Sequence, residues 1–449
     1  MKITYLLLLL PSSGVFAQSS PILEAYIQTG LSNNLALQQQ NLEWQKSREA
    51  LRQARGLFYP TLSFSANYTL AAGGRSIDLP IGDLLNPVYG ALNNLTQTND
   101  FPQIENVSEQ FLPNNFQETK LKFSYPLFNT DIRYNRQIQE QVSQSKSAQK
   151  DAYEHELRYE ITSAYLRYLQ AGQAEIVWIN AKSVLSELRR FNESLVKNNV
   201  ATRDVVATAD YELSKANTEI FKLQSAQNTA RAYFNFLINK GLQTELIADT
   251  AMLHLAVSAY DLQNLIEQAL QKRPEFAALR AGLAASETAI KLNEANRNLP
   301  DAYIGGETGF QGYGYNWFNG KQAYVLAQVG VTYDIFNGGQ TKSKIQQSKI
   351  EAEKGRAQFT ETQGQIALQV TRAWNEFEAA RNGWLSARDG VKAAEESFRI
   401  VNNKYKAQQA LLIEFLDAQN RVTTARMQVV LAWVDVLLKE AELKKAAGI

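Results

Sequence analysis

The stretch Val325-Leu326-Ala327-Gln328-Val329-Gly330-Val331-Thr332-Tyr333-Asp334-Ile335-Phe336-Asn337 decides how this chain folds. Val325, Ala327, Val329, Val331, Tyr333 and Ile335 alternate with Leu326, Gln328, Gly330, Thr332 and Asp334. A period of two places the two sets on opposite faces of a β-strand. Sustained over about ten residues, it fits a barrel strand with lipid on one side and water on the other. It also fits a sheet lying half-buried on a helical domain, and alternation alone does not separate the two.

The end of this stretch occurs twice. Tyr125-Pro126-Leu127-Phe128-Asn129 matches Tyr333-Asp334-Ile335-Phe336-Asn337 at an offset of 208 residues, and Ile161-Thr162-Ser163-Ala164-Tyr165 matches Val370-Thr371-Arg372-Ala373-Trp374 at 209. Earlier in the chain, Ile22-Leu23-Glu24-Ala25-Tyr26 falls on Leu262-Gln263-Asn264-Leu265-Ile266, and Pro60 on Pro300, at 240. The first copy therefore carries 32 extra residues between Pro60 and Phe128. The chain reads as two copies of helix, strand, strand, long helix, helix, over 18–250 and 251–449. In the first copy, alternation predicts strands at about 61–70 and 119–128, with Leu62, Phe64, Ala66, Tyr68 and Leu70 on one face. In the second, strands fall at about 301–315, rich in glycine and tyrosine, and at 322–336, with Asn319-Gly320 as a hairpin turn. The extra residues make a long polar loop at about 71–117.

Long helices are predicted over about 131–198 and 340–405, where no proline occurs. In the second, Val370, Phe377, Trp384, Val391, Phe398 and Tyr405 recur every seven residues. Ala373, Ala380, Ala387, Ala394 and Val401 follow three positions later, so a large-and-small seam suits closely packed coiled-coil helices. The fold class is mainly α with a small β part. Four strands do not close a barrel, and an open sheet edge is not tolerated in lipid, so membrane-spanning strands require several chains to share one barrel.

Composition excludes several classes. Lys and Arg number 46 against 45 Asp and Glu, so no field points to nucleic acid. Residues 1–17, with Lys2, an apolar run from Ile3 to Leu10, Pro11 and Val15-Phe16-Ala17, read as a secretory signal peptide. The chain contains no cysteine, which removes disulfides and thiol chemistry. His155-Glu156 lacks the second histidine of a zinc-protease motif, and His254 has no partner in sequence. Gly314 to Lys321 has one residue too many for a phosphate loop, with Gln322 where Ser or Thr is required. No cofactor, metal or catalytic constellation is expected, and the chain is read as no enzyme.

With these features in place, the chain resembles the TolC family of outer-membrane efflux ducts over nearly its whole length. The most specific segment is Tyr405-Lys406-Ala407-Gln408-Gln409-Ala410-Leu411-Leu412-Ile413-Glu414-Phe415-Leu416-Asp417-Ala418, which looks like the family's second periplasmic hairpin (about 406–413). Val200-Ala201-Thr202-Arg203-Asp204-Val205 is its counterpart in the first copy (about 198–204). The resemblance implies a homotrimer with a 12-stranded outer-membrane barrel continued by a periplasmic helical tunnel. It further implies docking through Val200, Ala201, Thr202, Ala410, Leu411 and Leu412 onto a periplasmic adaptor and an inner-membrane pump, in tripartite efflux or type I secretion. A free-standing porin and a periplasmic coiled-coil scaffold are the alternatives.

Glu414 and Asp417, three residues apart, share a helix face, and symmetry would gather them into an acidic ring at a gate. Placed at a helix start, the same acids also simply complement its positive end. By resemblance, a latch would join Tyr405 to Asp204. The family's glycine and arginine at the second hairpin are here Gln408 and Ala410, so Arg203 is expected to replace the missing arginine in part. In the first hairpin Asn198 stands where glycine is expected.

Overall fold

The computed structural model describes residues 20–254, 258–315 and 320–449. The segment read as a signal peptide lies outside them, as does Asn319 of the Asn-Gly turn. The chain divides into two units: a strand unit of residues 50–139 and 287–349, and a helical unit made of the remainder. Among the described residues the helices are α1 (Pro21–Asn33), α2 (Leu35–Gly56), α3 (Ile81–Thr96), α4 (Thr130–Lys197) and α5 (Asp204–Leu237). They continue with α6 (Leu262–Lys272), α7 (Pro274–Asn298), α8 (Gln340–Lys406) and α9 (Leu412–Ala447). The strands are β1 (Thr61–Thr69), β2 (Ser76–Leu79), β3 (Val107–Gln110), β4 (Phe116–Phe128), β5 (Asp301–Tyr313) and β6 (Ala323–Thr332).

In the strand unit, β1, β4, β5 and β6 form an antiparallel sheet in that order, so the two repeats meet where β4 pairs with β5. Register fixes the faces. Leu62 opposes Phe123 and Phe64 opposes Leu121; farther along, Phe123 opposes Gly306, and Ile304 opposes Val329. These side chains share one face, which no helix covers among the described residues: Phe64 is 68% exposed and Val325 81%. The other face carries Ser63, Lys120, Lys122, Glu307 and Gln328, with Lys120 paired to Glu118 at 2.7 Å and to Glu307 at 3.7 Å. The strands run 9 to 13 residues, about the length a tilted strand needs to cross a bilayer. Among the described residues β1 and β6 each leave one edge unpaired.

The glycine-rich segment makes a full strand because its glycines let the neighbouring backbone approach: a Cβ at Gly309 would collide with the Thr119 carbonyl. In β6, a Cβ at Gly330 would meet the ring of Tyr303. β6 ends at Thr332, not at 336, because its last rung is Asp301 and Pro300 precedes it, leaving Tyr333 to Phe336 without a ladder partner. β4 begins at Phe116, before the expected start, because β5 extends far enough to pair it with Tyr313. The segment 71–117 is not a plain loop: it holds α3 and the β2–β3 ladder, Ser76 opposite Gln110 through Leu79 opposite Val107.

In the helical unit the duplication is visible in the packing. Leu157, Ile161, Ala164 and Tyr168 of α4 enter one core with Leu23, Ile27, Phe234 and Val434. Ile366, Val370, Ala373 and Phe377 of α8 enter another with Leu265, Ala269, Val436 and Leu443, and each α8 residue stands 209 positions after its α4 counterpart. Fully burying such side chains contributes about 1.5–3 kcal/mol each. The Ser20 side chain caps α1 by accepting from the Leu23 amide at 3.2 Å, and Asp261 caps α6 through the Asn264 amide at 2.9 Å. These caps lie 241 apart, one residue off the register of the sequence match. The segment joining the repeats is pinned by polar groups: the Tyr165 hydroxyl donates to the Ile247 carbonyl and accepts from the Asp249 amide, both at 2.8 Å. α4 and α8, 68 and 67 residues long, each extend about 100 Å at the helical rise.

Candidate functional site

α4 and α8 end in the same way. Asn199 (φ 55°) and Gln408 (φ 60°), 209 residues apart, adopt left-handed backbone. The Val200 amide reaches back to the Leu195 carbonyl at 2.9 Å, and the Gln409 amide to the Lys404 carbonyl at 2.8 Å, closing a Schellman turn in each copy. The left-handed residue of the first turn is thus Asn199, one position after the expected Asn198. At position 408 glutamine accepts a conformation that costs a side-chain-bearing residue roughly 1–2 kcal/mol.

Beside these turns lies a third core, with Leu185, Leu188, Ala209, Tyr405, Phe415 and Leu416 buried. Tyr405 packs between Phe191 and Phe415, ring centroids 5.8 and 5.2 Å away. Its hydroxyl donates to Asn192 Oδ1 at 2.8 Å, and Asn192 Nδ2 donates to the Val205 carbonyl at 3.0 Å. Asn192 is fully buried. Burial pushes the Tyr405 phenol pKa up, and its bond to Asn192 works against the rise.

The expected pairing of Tyr405 with Asp204 is therefore corrected within this chain. Asp204 opens α5 and takes the Thr202 hydroxyl, while Asn192 carries the link between the end of α8 and the start of α5. The sequence did hold a sign of it: Leu185, Leu188 and Asn192 fall on core spacing, with a polar residue in an apolar stripe. Arg203 lines an open groove with Glu193, Lys197, Val206 and Asp210. Arg189 already holds both acids, Glu193 at 2.8 Å and Asp210 beside it, so among the described residues Arg203 forms no ion pair.

Glu414 and Asp417 both project outward from the first turns of α9. Glu414 Oε2 accepts the Leu411 amide at 2.8 Å, half of a capping box, so it does complement the helix start. Asp417 pairs with Arg421 one turn later at 2.7 Å, a partner the sequence reading did not weigh. At the tips, Val200, Thr202, Leu411 and Ile413 are exposed, while Ala201, Ala410 and Leu412 are half-buried.

Residues 265–449 match the family described as outer membrane efflux protein. The outer membrane efflux protein BepC of Brucella suis is 25% identical over 300 residues, covering 65% of this chain and 62% of that protein. The chain thus spans less than two thirds of that curated relative. In structure it is similar to the open state of the MtrE outer membrane channel of Neisseria gonorrhoeae, with TM-score 0.75, 18% identity, and 95% and 89% of the two chains covered. It is also similar to the outer membrane protein VceC of Vibrio cholerae, with TM-score 0.74, 15% identity, and 95% and 96% covered. At these identities the structures speak for the fold.

An open-edged sheet of four strands, greasy on one face and polar on the other, and a duplicated long-helix plan are what this chain's fold shares with those channels. Its second repeat matches the outer membrane efflux protein family, and its fold is similar to that of solved outer membrane channels.

Proposed function

We propose that this protein is a passive exit duct of the outer membrane, through which a partner pump expels cargo from the periplasm. The observation that carries this is the sheet. Among the described residues its apolar face is uncovered and its two edges are unpaired, which suits lipid outside, water inside, and neighbouring copies at each edge. The partners proposed are two further copies of the chain, a periplasmic adaptor and an inner-membrane pump. The tips at Val200, Ala201, Thr202, Ala410, Leu411 and Leu412 are the proposed adaptor contacts, supported by the exposed apolar groups Val200 and Leu411.

The periplasmic end is the proposed gate. Asn192, Tyr405 and the Val205 carbonyl hold the two hairpins together within each chain, and Arg203, which forms no ion pair among the described residues, would pair with an acid of the next chain. Glu414 and Asp417 would form a ring repeated by symmetry. Arg421 offsets one of the two charges, leaving one net negative charge per chain on this patch. In a narrow opening such a ring favours cations.

Planar-bilayer conductance of the purified protein, beside a Glu414→Ala/Asp417→Ala double variant, tests this. Small cation-preferring currents, with lower preference or larger conductance in the variant, are the expected result. Recovery of the protein in the soluble periplasmic fraction with no current would overturn the duct itself.

A further inference from the structure

The insertion that only the first repeat carries is built inside out. α3 turns its polar face inward, onto the chain's own segment 101–106. The Asn86 side chain grips Ile104 at both ends, donating to its carbonyl and accepting from its amide, each at 2.9 Å. One face-repeat later, Asn93 holds Phe101 the same way, at 2.8 and 3.1 Å. Asp83 and Asn106 close the near end, amide to Oδ1 and Nδ2 to carboxylate, both at 3.0 Å. Gly82 allows the contact, since a Cβ there would press on the Ile104 carbonyl.

The opposite face of α3 presents Ile81, Leu84, Leu85, Val88 and Leu95 to the outside, with Leu84 69% and Leu95 81% exposed. A surface helix ordinarily turns its apolar stripe inward and its polar face to water. Here the hydrogen-bonding capacity is spent internally, and a contiguous apolar stripe is left for something else to cover.

The strand register points to what covers it. β1 is an edge strand, and it enters the insertion at Thr69. Thr69 pairs with Phe116 and Phe116 with Tyr313, so this end of β1 lies at the same rim as the β5–β6 connection and the start of β6. Closing the shared barrel sets β1 of one copy antiparallel to β6 of the next. That brings each insertion beside the neighbour's rim, three times around one mouth. Charge disfavours a lipid surface instead: residues 71–115 carry Asp78, Asp83, Asp100, Glu105 and Glu109 against Arg75 alone, a poor match for phosphate headgroups.

We propose that the outward face of α3 is an interchain contact, docking on the neighbouring copy of this same chain, so that three insertions form a collar over the mouth of the barrel. The proposal rests on the shared barrel. The chain has no cysteine, so Val88→Cys supplies a sole thiol in the full-length protein in its own membrane. Labelling with a benzophenone maleimide and illumination should shift labelled chain to near twice the single-chain mass. Leu84→Cys should do the same, and Asn94→Cys, off the stripe, should not. Adducts running with lipid, or label remaining on single chains, would overturn the proposal. The size of the protein in detergent separates the two failures: a trimer without cross-links refutes the collar alone, a monomer refutes the shared barrel. If Val88→Cys does not reach the membrane, Leu95→Cys at the far end of the stripe carries the same test.

Discussion

Tyr405→Phe removes one hydroxyl and keeps the ring between Phe191 and Phe415, so its effect isolates the polar link at the hairpins. The loss strands Asn192 Oδ1, whose residue is fully buried, without the donor it has at 2.8 Å. Leaving a buried acceptor unsatisfied costs about 1–3 kcal/mol, which is roughly a 5–150-fold shift in the equilibrium for parting the two hairpins of one chain. Amide hydrogen exchange at Gln408 and Gln409, which close the second turn, should accelerate within that range, and bilayer currents should grow. Asn192→Ala should act at least as strongly, because the Val205 carbonyl also loses its donor. Removing both members of a buried pair is often nearly neutral, so Asn192→Leu combined with Tyr405→Phe should be milder than the sum of the single changes. Unchanged exchange and unchanged current in Tyr405→Phe would refute the assignment of Asn192 as the link. Faster exchange with unchanged current would keep the bond and move the gate elsewhere.

Other positions give sharper or simpler outcomes. Gln408→Gly should raise the unfolding free energy by up to about 1 kcal/mol, read as a higher unfolding midpoint, since glycine adopts the left-handed turn without strain. Hydrogen bonds from Lys439 and Arg372 hold the Glu376 carboxyl down to about 2 from its usual 4.5. Its folded pKa is depressed, so its contribution is present above about pH 4.5 and lost as pH falls toward about 2. The stability gap between wild type and Glu376→Gln should therefore close across that window, and a gap that persists at its acid end would contradict the pairing. Gly309→Val should abolish the assembled band on a semi-native gel, because β4 and β5 approach too closely there for any side chain. The Glu414→Ala/Asp417→Ala pair should change ion preference more than stability, since both acids are exposed.

Strands and long helices were legible because their signals are periodic and local. Alternation at two, as in 325–331, and recurrence at seven, as in Val370 and Phe377, depend only on neighbours along the chain. The 71–117 insertion was misread for the same reason: its apolar and polar residues do form a helix pattern, but Asn86 and Asn93 face inward, and a polar residue in a helix reads as solvent-facing. Arg203 illustrates a second limit. That Arg189, and not Arg203, takes Glu193 and Asp210 depends on how α4 and α5 lie side by side.

The sequence by itself determined the duplication, the two-faced strands, and the hairpins as the place to look for a gate. Each follows from spacing along one chain. Only the tertiary structure decided that Asn192, not Asp204, receives Tyr405, although 213 residues separate the pair. Only it showed that Glu414 caps a helix, that Arg421 tempers Asp417, and that α3 shows its apolar face outward. Those outcomes turn on the direction of short polar side chains and on which of several nearby donors arrives first. Both are set by helix packing and have no period to read.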